Sequence, residues 1–143
     1  MIRYLHSIYC DDIRHEINGK ISYVGVYHGK LLVPSVPVVV PKLCVAIFAV
    51  TSANEPFKKF SLKILKNDEK LVEQEISSEQ LNQASDVSGS TTNDKQDKIQ
   101  VLNFLFQFSP FPIESNMRLR VRADTDKGEL KAPGLIVEQA PPT

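Results

Sequence analysis

The sequence predicts an all-β protein: an antiparallel β-sandwich of immunoglobulin-like size, with about eight or nine strands and one short helix. Three observations carry that prediction. Short apolar runs recur along the chain between clusters of Gly, Pro, Asn and Asp. Several of these runs alternate apolar and polar residues, the period of a strand with one buried face. Only one segment, near residues 77–85, carries helix start signals, and nothing alternates strand with helix as a parallel α/β fold would.

Taken in order, the first strand covers residues 2–9 and stops at the Asp11-Asp12 pair. Asn18-Gly19 is a strong two-residue turn signal and leads into a strand over 20–27. His28-Gly29 turns the chain into a strand over 30–33. The valine-rich stretch 34–41 holds three prolines, which cannot donate to a ladder, so it reads as an edge strand or a sheet-crossing connection. Residues 43–51 are apolar on both faces and read as a central strand. Residues 57–65 alternate, with Phe60, Leu62 and Ile64 on one side and Lys59, Ser61 and Lys63 on the other. Asn67-Asp68 turns into a strand over 70–75.

Ser77 and Gln80 then have the spacing of a capping box, and Ile76 and Leu81 that of a hydrophobic staple, so a helix of about two turns begins there. Residues 86–98 are polar with little to bury and read as a mobile loop. The connection from the 70–75 strand to the next suits a crossing between two sheets. In residues 99–109, Leu102, Phe104, Phe106 and Phe108 share one face and form the clearest core stripe, which Pro110-Phe111-Pro112 breaks. Residues 117–123 place Met117, Leu119, Val121 and Ala123 inward and Arg118, Arg120 and Arg122 outward. A hairpin at 125–128 precedes short strands at 129–131 and 135–138.

The 143 residues suit one domain spanning 1–143, large enough to fold without a disulfide or metal. Lys and Arg total 17 and Asp and Glu total 17, which argues against binding nucleic acid or anionic membrane through bulk charge. No apolar run approaches the roughly 18 residues of a membrane helix. The first residues lack the charged, apolar and small-residue sections of a secretory signal, so the expected setting is cytoplasmic. Cys10 and Cys44 sit in apolar segments and read as small buried hydrophobes rather than a disulfide.

Motifs that carry chemistry are sparse. His6, Cys10 and His15 surround Asp11 and Asp12, yet on a strand His6 and Cys10 lie roughly 13 Å apart, too far to share a metal. The bland reading is a turn whose carboxylates cap backbone N–H groups. The same residues are the only nucleophile and base combination for an enzyme, and nothing marks an oxyanion hole. Residues 25–30 resemble a phosphate-binding loop only superficially, since the spacing is short and Leu31 stands where a hydroxyl should hold magnesium. No catalytic residue, metal or cofactor is therefore assigned. The most distinctive surface feature is the row Arg118, Arg120 and Arg122, spaced about 6.6–7 Å apart for successive phosphates or partner carboxylates. The plainer reading pairs these arginines with cross-strand acids such as Glu129 or Glu138. Tyr4, Tyr9, Tyr23 and Tyr27 offer an aromatic platform, with Tyr23 and Tyr27 on one strand parity.

The run Cys10-Asp11-Asp12-Ile13-Arg14-His15-Glu16, then Asn18-Gly19-Lys20 and Gly25-Val26-Tyr27, resembles an uncharacterised family of small bacterial and prophage-encoded proteins that share a domain of unknown function. Pro41-Lys42-Leu43-Cys44 and the strand at 119–121 before a strand near 135–137 extend the resemblance over most of the chain. It implies a β-sandwich in a bacterial or phage cytosolic setting and supplies no activity and no site residues. The expected function is a non-enzymatic protein-interaction domain, in a specific form a phage or mobile-element factor that binds a host protein. Arg118, Arg120, Arg122, Tyr23 and Tyr27 are its candidate partner-binding residues, with the 86–98 loop and residues 36–40 as further contact segments. A small-ligand or carbohydrate-binding sandwich is the alternative. An enzyme built on His6, Cys10 and His15, or a nucleic-acid binder using the arginine row, stands behind it.

Overall fold

A computed structural model describes residues 3–83, 86–88 and 98–142. The elements run β1 (Tyr4–His15), a single 3-10 turn (Ile17–Gly19), β2 (Ile21–Tyr27), β3 (Lys30–Val33), β4 (Val38–Val40), β5 (Leu43–Ser52), β6 (Phe60–Lys66) and β7 (Glu69–Ile76). After these come α1 (Ser78–Gln83), β8 (Asp86–Ser88), β9 (Lys98–Phe108), β10 (Phe111–Ile113), β11 (Met117–Thr125), β12 (Gly128–Lys131) and β13 (Leu135–Gln139). The fold is mostly β-stranded, as the apolar alternation requires, and α1 is the one α-helix among the described residues. Ser77 caps that helix in the expected way: the Gln80 N–H donates to Ser77 Oγ at 3.2 Å, and the Ser77 N–H donates to Gln80 Oε1 at 3.0 Å.

The strands form three sheets. A five-stranded sheet has the order β2-β1-β5-β9-β8, a six-stranded one the order β3-β13-β11-β6-β7 with β12 also on β11, and β4 with β10 makes a two-stranded ribbon. Strand β5 occupies the centre of the five-stranded sheet, in register with β1 on one side and β9 on the other. The chain crosses from the six-stranded to the five-stranded sheet between β7 and β9, where the sequence places that crossing. One buried cluster draws on both large sheets, with Leu5, Val45, Ile47 and Leu102 from the first and Leu62, Ile64, Leu119, Val121 and Val137 from the second. Phe104 of β9 stacks on Phe60 of β6 with ring centroids 5.6 Å apart, and Ser7 and Tyr9 of β1 both donate to the Pro133 carbonyl between β12 and β13.

A guanidinium ties the two sheets at one end. Arg3 donates to Thr51 Oγ1 of β5, Thr125 Oγ1 of β11, the Asp126 carboxylate, and the Glu55 and Pro56 carbonyls, while its plane lies 4.5 Å over the Phe57 ring. All five of its N–H donors are thereby used.

Several expectations need correcting. Strand β1 does not stop at Asp11-Asp12 but runs on to His15, because β2 continues to pair with it through Asp12 opposite Val24 and His15 opposite Ile21. Pro110-Phe111-Pro112 does not simply break the chain: residues 111–113 form β10, which pairs with β4. Thirteen strands occur among the described residues rather than eight or nine, since three-residue strands such as β8 and β10 carry too few residues to show alternation in the sequence. Pairing is not wholly antiparallel either, because β13 lies parallel to β3, with Ile136 opposite Lys30. The polar segment 86–98 begins with β8, which pairs with β9; its residues 89–97 lie outside the described residues.

Candidate functional site

The outward side of the five-stranded sheet is built by strand parity. Leu5, Ser7 and Tyr9 of β1 are buried toward the six-stranded sheet, so Tyr4, His6, Ile8 and Cys10 project the other way. Register with β5 and β9 then lays out cross-strand rows: Tyr4–Val50–Val101, His6–Phe48–Asn103, Ile8–Ala46–Leu105, and Val26–Cys10–Cys44–Gln107. No Asp, Glu, Lys or Arg stands in any of them. Tyr4 is 48% exposed and Leu105 39%, and Phe48 is half-buried at the middle, with His6 stacked on its ring and Tyr23 meeting it edge-on, each at 6.5 Å. Tyr23 therefore belongs to this face.

Where β1 outruns β5, the β1–β2 pair is kept by local chemistry. Gly25 has φ +68°, and a Cβ there would collide with the Asp11 carboxylate, so only glycine leaves Asp11 room to lie across β2. The Tyr27 hydroxyl donates to Asp11 Oδ1, and burial followed by this carboxylate pushes the phenol's pKa well above its ordinary value. Tyr27 is thus engaged with Asp11 and is not a neighbour of Tyr23 on the apolar face. Lys42, just before β5, donates to Asp12 Oδ1 at 2.7 Å and holds that carboxyl below its usual range.

Cys10 and Cys44 face each other directly in the β1–β5 register, a pairing that brings Cα atoms to about 4.5–5.5 Å in antiparallel sheets. Both are buried free thiols. Burial first, and the neighbouring Cys44 next, push the Cys10 pKa up to about 11, and burial raises that of Cys44 as well. A thiol kept protonated in this way is a poor nucleophile. His6 stacks on Phe48, and His15 lines a small depression of about 150 Å³ with Cys44 rather than with Cys10. Among the described residues no three His, Cys, Asp or Glu side chains gather as metal ligands. The four tyrosines do not form one platform: Tyr9 is buried on Pro133, Tyr27 holds Asp11, and Tyr4 and Tyr23 share the apolar face with Phe48.

The outward side of the six-stranded sheet is of opposite character. Met117, Leu119, Val121 and Ala123 of β11 are buried, which sends Arg118, Arg120 and Arg122 outward as the alternation requires. The three line a shallow depression of about 450 Å³ with Gly29, Ala132, Gly134 and Ile136. Among the described residues none of them forms an ion pair. Of the anticipated partners, Glu138 pairs with Lys30 at 3.0 Å, and Glu129 stands opposite Asp124 rather than opposite an arginine. Sequence reasoning found the arginine row but not its isolation, which depends on register.

Similarity to known proteins agrees with the resemblance in one respect, an uncharacterised family, and adds no activity. No curated protein and no solved structure matches the chain. A family model, described as a family of unknown function (DUF6941), matches residues 5–138, and the chain belongs to that family.

Proposed function

We propose that this protein is a non-enzymatic interaction domain, an immunoglobulin-sized β-sandwich that docks a protein partner on the outward face of its five-stranded sheet. The observation that carries the reading is the uncharged, partly exposed surface formed by Tyr4, Ile8, Phe48, Tyr23 and Leu105. Contiguous apolar surface on a sheet face is a feature of protein interfaces, and aromatic side chains supply much of their binding energy. The raised thiol pKa of both Cys10 and Cys44 speaks against nucleophilic chemistry at that cluster. In its finer form the reading makes the protein a bacterial or mobile-element factor acting on a host protein in the cytoplasm, in keeping with the resemblance noted from its N-terminal motif.

The test is affinity capture from bacterial lysate combined with sedimentation of the purified protein. The reading expects a stoichiometric partner that the wild type retains and Leu105→Asp loses, with both proteins sedimenting as monomers. A wild type that dimerises through this face, with Leu105→Asp monomeric, would instead make a second copy the occupant and overturn the reading.

A further inference from the structure

We propose that Arg118, Arg120 and Arg122 form a second site, which takes an extended acidic peptide segment bearing carboxylates at alternate positions and a basic residue beyond them. The proposal rests on the interaction-domain reading only in that its ligand is a protein segment; it concerns the opposite face and is tested apart from it.

The first support is the neighbourhood of the row. Directly across from Arg118 stands Ile136, across from Arg120 stands Leu65, and Arg122 lies between Lys63 and Lys131. None of these is an acid. Lys63 is itself committed to Asp124 at 3.2 Å. In a chain whose charges sum to +0, three guanidiniums are thus collected on one strand beside further cations, an arrangement that is unfavourable until an anion arrives.

The second support is the shape beside the row. Strand β11 is flanked by β13 over its first residues and by β12 over its last, and the chain passes from one to the other through Ala132, Pro133 and Gly134. Small residues at this seam make the depression. At Gly134 a Cβ would come within 2.7 Å of the Leu119 carbonyl oxygen, so the seam lies tight against β11. From beneath, Ser7 and Tyr9 hold the Pro133 carbonyl at 2.6 and 2.9 Å. The floor is built before any ligand binds, which lowers the ordering cost of binding.

The ligand class follows from spacing and from where the charge ends. Alternate residues of an extended peptide recur about 6.6–7 Å apart, the spacing of the arginines themselves, so three carboxylates can meet three guanidiniums one for one. One step beyond Arg122 the same strand carries Asp124, paired with Lys63, in a depression where Glu73, Glu75 and Glu129 outnumber Lys59 and Lys63. A nucleic-acid strand continuing past Arg122 would run into these carboxylates, whereas a peptide that turns basic there would be met by them.

Fluorescence anisotropy with a labelled peptide Glu-Ser-Glu-Ser-Glu-Ser-Lys tests this, against an isomer with the three glutamates contiguous and against a seven-residue oligothymidylate. We expect saturable binding of the alternating peptide, about tenfold tighter than its isomer and tighter than the oligonucleotide. Arg120→Ala should weaken it about tenfold, Arg120→Lys less, and Asp124→Asn should erase the contribution of the terminal lysine. The Arg120→Ala protein should melt no lower than wild type, so its loss of binding is not loss of fold. Equal affinity for the two isomers, tighter binding of the oligonucleotide, or no saturable binding overturns the proposal. Leu105→Asp should leave peptide affinity unchanged, so failure here and failure of partner capture at the apolar face are separate results.

Discussion

The two large sheets bury similar inward faces and present contrasting outward ones. Across β1, β5 and β9 the outward rows hold no charged residue, and their central strand is almost wholly buried on both sides. Across β11, β6 and β7 the outward side chains include Arg118, Arg120 and Arg122, which meet no acid, and Lys63, which is paired with Asp124 and stands opposite Glu73. Both faces arise from the same two-residue period. The difference teaches that a strand's own alternation says which side is core, while the character of the other side is set by register, which decides whether charges meet partners or collect.

The contrast can be broken most severely by moving charge onto the apolar face at a point with no water. Ala46 is fully buried between Ile8 and Leu105, so Ala46→Asp should destabilise by about 3 kcal/mol or more, read by urea unfolding. The same aspartate at the exposed Leu105 should change stability by only about 0.5 kcal/mol while abolishing partner capture. An equal effect at both positions would show that the face is not graded from buried centre to wet rim.

A smaller effect should appear in alkali. The folded state holds the Cys10 thiol protonated up to about 11, against an ordinary value of 9.0. Its contribution to stability is therefore full below pH 9 and is lost as pH rises through 11, a change on the order of 2 kcal/mol. Melting temperatures of wild type and Cys10→Ala across that window should converge as pH rises. Parallel curves would mean that the thiol already titrates freely.

The smallest effect concerns the charged face. Relief of like-charge repulsion should make Arg122→Ala more stable than wild type by about 0.2–1 kcal/mol at low salt. The gain should shrink as salt screens the row. A loss of stability would indicate that Arg122 is paired after all.

Much of this was legible in the sequence where local rules and tertiary structure agree. The alternation of 117–123, the central position of 43–51 and the Ser77–Gln80 cap all follow from side-chain periodicity or from contacts within a few residues. The extension of β1 was not legible, because Asp11-Asp12 reads as a breaker unless Gly25 is known to lie across from it. Strand β4 was legible as one of two readings of residues 34–41, whereas β10 was hidden by Pro110 and Pro112, since it needs β4 as its partner. The apolar outward face escaped for a subtler reason. A strand apolar on both sides reads alike whether its second side is covered by another layer or left for a partner. The arginines were plain, yet only three-dimensional pairing reveals that Glu138 serves Lys30 and that Glu129 lies beside Asp124.

Arg3 has a bearing on how the two faces stay in fixed relation. Its planar fork reaches five acceptors in three chain segments, and the single ammonium of lysine could reach only a subset of them from one point. Conserving charge at this position would not conserve the clasp: Arg3→Lys would leave some of the Thr51, Glu55, Pro56, Thr125 and Asp126 oxygens without their present donor. Thr51 and Thr125 would then lose the shared donor that joins the two sheets at this end, while the buried cluster between the sheets would still hold them together.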